Sequence, residues 1–165
     1  MGGKNLDIKT WDRGLIADDE HGYPDDRSGF FSTTAVCDIF GYPMATLQQW
    51  LKDGFIRPAY RVEYGRGMRS VFVRSQLLWI GVFKTLVDRG IQRKLAVNWA
   101  NAFFNMLKKE GKFDTYDLLV VEIDHNGIKG ITLFSGEVHI KATKDGHDLL
   151  VINLSRIVEK IRIYT

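Results

Sequence analysis

Residues 29–58 read GFFSTTAVCDIFGYPMATLQQWLKDGFIRP, and Gly41 and Gly54 divide the stretch into two apolar-periodic runs. In the first, Ser32 or Thr33 can cap a helix whose Val36, Ile39 and Phe40 fall at i, i+3 and i+4 spacing. Gly41 then stops it. The second run has Pro43 near its first turn, Leu47, Trp50 and Leu51 as its apolar stripe, and Gly54 as its stop. Phe55 and Ile56 carry the apolar surface into an extended segment before Pro58. Two helices joined by a turn of about four residues centred on a glycine make a helix-turn-helix unit.

Working outward, AYRVEYGRGMRSVFV (59–73) alternates at Tyr60, Val62 and Tyr64 and again at Val71 and Val73, with GRG between them, which predicts a β-hairpin. Arg66 and Arg69 sit at its tip, with Arg61 nearby, and arginines there cannot be packed inward cheaply. RSQLLWIGVFKTLVDRG (74–90) returns to helical spacing with too many apolar residues for one narrow stripe, so the helix is expected to be buried over much of its circumference. IQRKLAVNWANAFFNMLKKEG (91–111) predicts a further helix with Leu95, Trp99, Phe103 and Leu107 in its buried row. From Asp117 the period changes to two. DLLVVEID, IKGITLF, EVHIKAT and DLLVINL read as strands separated by turn residues, and SRIVEKIRIYT as a short helix capped by Ser155.

The formal charge of +3 is unevenly placed along the 165 residues. Residues 1–28 carry 4 Lys/Arg against 7 Asp/Glu, residues 29–112 carry 13 against 5, and residues 113–165 carry 6 against 8. The basic excess is confined to the central block, and an anionic partner is expected there. These shifts divide the chain into a flexible or loosely docked acidic arm (1–28), a helical head with a hairpin (29–112) and a β-rich module (113–165) that serves dimerisation or partner binding. The single cysteine, Cys37, excludes a disulfide framework and a Cys-pair metal site, and lies on an apolar helical face as a buried hydrophobe would. With no apolar run long enough for a signal or a membrane span, the expectation is a soluble, cytoplasmic protein with no membrane contact.

Helix, turn, second helix, arginine-tipped hairpin, third and fourth helices, in that order, resemble the DNA-binding domain of MerR-type transcription regulators. The likeness covers residues 30 to about 110 and rests on FSTTAVCDIFGYPMATLQQWLKDGFIRP: Val36, Ile39 and Leu47, the turn Gly41, Trp50, the stop Gly54, and Phe55-Ile56 before Pro58. The β-rich remainder is similar to small bacterial regulators, some antitoxin-like, that append such a module to the head. The resemblance implies an α+β fold with a winged helix-turn-helix head and a small antiparallel β-rich module ending in a short helix.

In a head of this type the second helix lies in the major groove. Off its apolar stripe stand Ala45, Thr46, Gln48, Gln49 and Lys52. A glutamine amide can pair bidentately with adenine, and Thr or Ala methyls can touch the thymine methyl, so a site containing A·T pairs is expected. Arg61, Arg66 and Arg69 suit phosphates or a narrow minor groove, while Lys52 and Arg57 hold the backbone. Thr33, Thr34 and Tyr64 complete the candidate DNA-binding set.

Enzyme chemistry finds little support. His21, His125, His139 and His147 are dispersed without a Cys or acidic partner at metal-ligand spacing, and no nucleophile has a visible base, so no cofactor or metal is expected. The reading is a non-enzymatic, sequence-specific double-stranded DNA-binding regulator, bacterial or phage, acting as a homodimer. Trp99, Phe103 and Phe104 of the fourth helix, or the β module, would join the two copies. The alternative is an antitoxin-like or phage interaction module whose β domain binds a protein partner and whose head binds DNA for autoregulation. Exposed apolar surface on the β module would favour that alternative.

Overall fold

The computed structural model describes residues 15–17, 29–64, 67–110, 116–124, 127–136 and 148–164. In chain order come β1 (Leu15–Ala17), β2 (Phe30–Ser32), α1 (Thr33–Phe40), α2 (Met44–Lys52), β3 (Tyr60–Tyr64) and β4 (Gly67–Val73). They are followed by α3 (Arg74–Asp88), α4 (Arg93–Glu110), β5 (Leu118–Asp124), β6 (Gly127–Phe134), β7 (Asp148–Asn153) and α5 (Leu154–Arg162). The fold is mixed α+β with two antiparallel sheets, ordered β1-β3-β4-β2 and β6-β5-β7. No helix among the described residues is long and apolar enough to cross a membrane.

The first sheet is built on the β3–β4 hairpin, whose register runs from Tyr60↔Val71 to Tyr64↔Gly67. β2 pairs with the far end of β4 through Phe31↔Phe72 and leads straight into α1. Ser32 makes that junction, its hydroxyl accepting from the Ala35 N–H at 3.2 Å and satisfying one orphan donor of the first turn. β1 adds to the outer edge of β3. Part of the arm is therefore hydrogen-bonded into a sheet. Residues 1–14 and 18–28 lie outside the described residues, as does the strand candidate EVHIKAT at 137–143.

α3 is the central element, packed by α1, β4, α4 and α5. Every residue from Ser75 to Phe83 is buried, which accounts for the apolar surplus in its sequence. α4 buries Ala96, Trp99, Ala100, Phe103, Phe104 and Leu107. Leu95, expected in this row, is 41% exposed. Steps of four residues overshoot a 3.6-residue turn by about 40° each, so a row in phase with Phe103 and Leu107 passes through Ala96 instead. The alanines let the two helices approach, and the Trp79 indole N–H donates to Asn101 Oδ1 across the contact at 2.9 Å.

The second sheet turns Leu119, Val121 and Ile152 toward the core. Asp117 ties its edges together. One carboxylate oxygen accepts from the Gly136 N–H at 2.7 Å and the other from the Ser155 hydroxyl, while its carbonyl accepts from the Leu154 N–H at 2.8 Å. The Gly136 N–H, followed by the Ser155 hydroxyl, holds the Asp117 carboxyl below its ordinary range. The cap of α5 is Asn153, whose Oδ1 accepts from the Arg156 N–H at 2.9 Å, and Ser155 lies inside the helix.

α5 buries Leu154, Ile157, Val158 and Ile161 and rests on α3 at Gly81. A Cβ at that glycine would overlap Ile157 Cγ2 and stand 3.0 Å from Phe40 Cε1, so only Gly lets α1, α3 and α5 meet there. One buried cluster consequently runs from Phe31 to Ile161, across the boundary that the charge pattern draws between residues 29–112 and 113–165.

Candidate nucleic-acid interface

The candidate interface is built on the α1–α2 turn. Gly41 adopts φ 68°, a left-handed conformation open to glycine, and the Tyr42 N–H closes the turn onto the Cys37 carbonyl at 3.0 Å. α2 then commits its inner face through Leu47 and Trp50, 0% and 4% exposed. Trp50 meets Tyr42 edge-on at 4.6 Å and Phe83 edge-on at 5.2 Å, and Phe83 stacks on Trp79 at 5.3 Å. This run of four rings fixes the rotation of α2 about its axis relative to α3, because each ring's favoured edge or stacking geometry depends on the next.

The Lys84 ammonium stands 4.9 Å over the Tyr42 ring. The Tyr42 hydroxyl is buried without a hydrogen-bond partner among the described residues, and burial, aided by Asp88, pushes its pKa far up. The phenol stays protonated. Burial, aided by Asp38, likewise raises the Cys37 thiol, which is inert beside Met44.

The outer face of α2 carries Ala45, Gln48, Gln49 and Lys52, all exposed, with Thr46 half-buried. Lys52 lies in the last turn, where a cation suits the helix dipole. Gln49 Nε2 donates to Asp53 Oδ1 at 2.7 Å, so of the two glutamines Gln48 is the better placed to offer a whole amide edge. At the start of α1, Thr34 is exposed and Thr33 half-buried. Arg57 is half-buried in the link from α2 to β3.

On the hairpin, Arg61 and Arg69 are both exposed. Arg61 pairs with Ser70 and Arg69 with Val62, which puts the two arginines one step apart and on opposite faces of the ribbon. Arg66 and the Tyr64 side chain lie outside the described residues, as do His21, His125, His139 and His147. Among the described residues no three His, Cys, Asp or Glu side chains gather as a metal site.

A residue that the sequence reading passed over holds this surface together. Gln76, on α3, is 0% exposed; its Oε1 accepts from the Ala59 N–H at 3.0 Å and its Nε2 donates to the Arg57 carbonyl. Its amide thus pairs with the backbone of the link between α2 and β3, fixing the base of the hairpin relative to the helices. The signal was present in RSQLLWIG: a glutamine that leads directly into an apolar run, whose amide must find partners once buried.

Of the surfaces expected to join two copies, Trp99, Phe103 and Phe104 are at most 5% exposed within one chain. The β module differs. The alternation of β5, β6 and β7 places Leu118, Val120, Phe134, Leu149 and Val151 on the face opposite Leu119, Val121 and Ile152. Val120 is buried and the other four are half-buried. No protein-family model matches the chain, and no curated protein matches it.

Proposed function

We propose that the chain is a sequence-specific double-stranded DNA-binding transcription regulator of MerR-like type, with a winged helix-turn-helix head and a homodimeric assembly. The observation that carries this reading is the division of α2. Leu47 and Trp50 anchor one face, while Ala45, Gln48, Gln49 and Lys52 stand exposed on the other, and the link from α2 to the basic hairpin is clamped to α3 by Gln76. Short polar side chains on a rigidly held helix suit base edges in the major groove, and Arg61 and Arg69 suit phosphates on either side of an inserted ribbon. The pair of copies needed for two half-sites would meet through the β module, since the aromatic row of α4 is spent within one chain.

The test is a salt titration of duplex binding by fluorescence anisotropy, comparing the intact chain with Lys52→Ala and Arg69→Ala. Binding is expected to weaken steeply with salt, and each substitution should lower the slope of log K against log salt by about 0.9. A selected duplex should be preferred over random sequence by ~10³. A folded chain that binds no duplex at low salt would sink the reading. It would favour the alternative, an antitoxin-like or phage interaction module, for which the specific observation is the outer apolar row of β5–β7.

A further inference from the structure

The proposed DNA surface has a second occupant within the same chain. β4 satisfies one edge of β3, and an unoccupied outer edge would expose a row of backbone donors and acceptors that accepts any extended segment. Residues Leu15, Ile16 and Ala17 take that edge, opposite Val62, Arg61 and Tyr60. We propose that the outer edge of β3 is a strand-docking surface, that the chain's own acidic N-terminal segment is its displaceable occupant, and that this occupancy competes with duplex DNA. The competition rests on the DNA-binding reading; the strand docking does not.

Three features support it. The first is charge. Residues 1–28 hold 7 Asp/Glu against 4 Lys/Arg, and Asp18, Asp19 and Glu20 follow directly on Ala17. Three residues reach at most about 10 Å. That is about one Debye length at physiological salt, so chain length alone keeps these carboxylates within electrostatic range of Arg61, which is exposed and stands opposite Ile16. Acids bound there lower the local positive potential on which phosphate contacts depend.

The second feature is marginal grip. A strand of three residues is at the short limit for sheets and contributes few ladder hydrogen bonds, so it can leave without global unfolding. The third is topology. β1 and β2 lie at opposite edges of the sheet, and 12 residues separate them. β1 can therefore detach while β2 keeps its pairing with β4 and its junction with α1. A duplex that needs the hairpin free sees only the undocked fraction of molecules, so its apparent affinity is reduced by that fraction.

The test uses the full chain and two variants. Ile16→Pro removes an N–H from the short strand and fixes its φ, breaking the pairing. Asp18→Asn/Asp19→Asn/Glu20→Gln keeps the strand and removes the charge. Two readouts are taken: hydrogen exchange of the Tyr60–Tyr64 amides, and anisotropy of a random duplex at about 50 mM salt. With the segment seated about nine-tenths of the time, Ile16→Pro should speed exchange in β3 and tighten duplex binding about tenfold. The neutralised variant should tighten binding several-fold, and duplex added to the intact chain should speed exchange at residues 15–17.

Unchanged β3 exchange in Ile16→Pro would overturn the docking. Faster exchange with equal or weaker duplex binding would overturn the competition while leaving the DNA-binding reading intact. If neither the intact chain nor either variant binds duplex, the DNA-binding reading falls and the competition with it, whereas the exchange data still decide the docking.

Discussion

Replacing Gln76 by methionine removes the amide and little of the volume. Two backbone groups lose their partners: the N–H of Ala59, a residue 6% exposed, and the carbonyl of Arg57, a residue that is half-buried. A buried group left unpaired costs about 1–3 kcal/mol, the upper part of that range applying where water cannot enter. Ala59 meets that condition; Arg57 keeps some solvent. The methionine offsets part of the loss, because it no longer desolvates an amide of its own. The net expectation is about 2–3 kcal/mol of lost stability. For a chain of this size that is about 5–10 °C in Tm. Urea unfolding followed by tryptophan fluorescence is the direct assay, since Trp50 and Trp79 lie in the ring run beside α3, and the midpoint should fall with the m-value unchanged. Gln76→Glu is the companion variant. It keeps an acceptor for the Ala59 N–H, yet an ionised carboxylate has nothing to donate to the Arg57 carbonyl, so it should be no more stable than the methionine variant at pH 7. A loss below about 0.5 kcal/mol for Gln76→Met would refute the clamp.

Gly81→Ala should destabilise by about 1–3 kcal/mol by wedging α5 off α3, although the same change in an open helix would stabilise by about 1 kcal/mol; a raised urea midpoint would contradict the close packing. The Asp117 carboxyl titrates lower in the folded chain than its ordinary value, so its contribution is present above the unfolded pKa and is lost as pH falls through the folded one. The Tm gap between the intact chain and Asp117→Asn should accordingly be open at pH 7 and close below about pH 4, and a gap that persists in acid would count against the carboxylate's role. Tyr42→Phe deletes a buried hydroxyl that has no partner while keeping the ring under Lys84, so stability should hold or rise by about 0.5–1 kcal/mol; a loss above about 1 kcal/mol would mean that the hydroxyl is bonded after all.

Periodicity made most elements legible. Val36, Ile39 and Phe40 marked α1 and Leu47 and Trp50 marked α2, because each burial pattern repeats with its backbone geometry; β5 was marked by its apolar run, since Leu119, Val120 and Val121 are buried in succession. Phase was harder: in α4, Leu95 outranked Ala96 on hydrophobicity, but the close α3–α4 contact favours the smaller side chain. Elements specified by pairing alone left weaker traces. β1 and β2 have three residues each, too few for a period to show, and their partners lie far along the chain, in β3 and β4. Asn153 took the cap from Ser155 because β7 runs into α5 without a loop, which moves the helix start by two residues.

In the candidate interface the exposed residues of α2 were legible from the same stripe that placed Leu47 and Trp50. The division of Arg61 from Arg69 was not, since faces of a ribbon follow from register and register follows from where the turn closes. Nor was the Gln49–Asp53 hydrogen bond, since both residues are exposed and their polar groups could equally be satisfied by solvent.

The seat of α5 on Gly81 also orders events during synthesis. Ile157 fills a slot on the central helix α3, and Phe40 of α1 lines the same slot, so the surface left by residues 29–110 stays open until residues 154–161 have emerged and folded back. An apolar gap of this kind on a nascent chain is a site for chaperones and for association with other unfinished chains. The core around α3 is completed late, and any premature stop between residues 111 and 153 should release a chain that carries the candidate interface on an incomplete support.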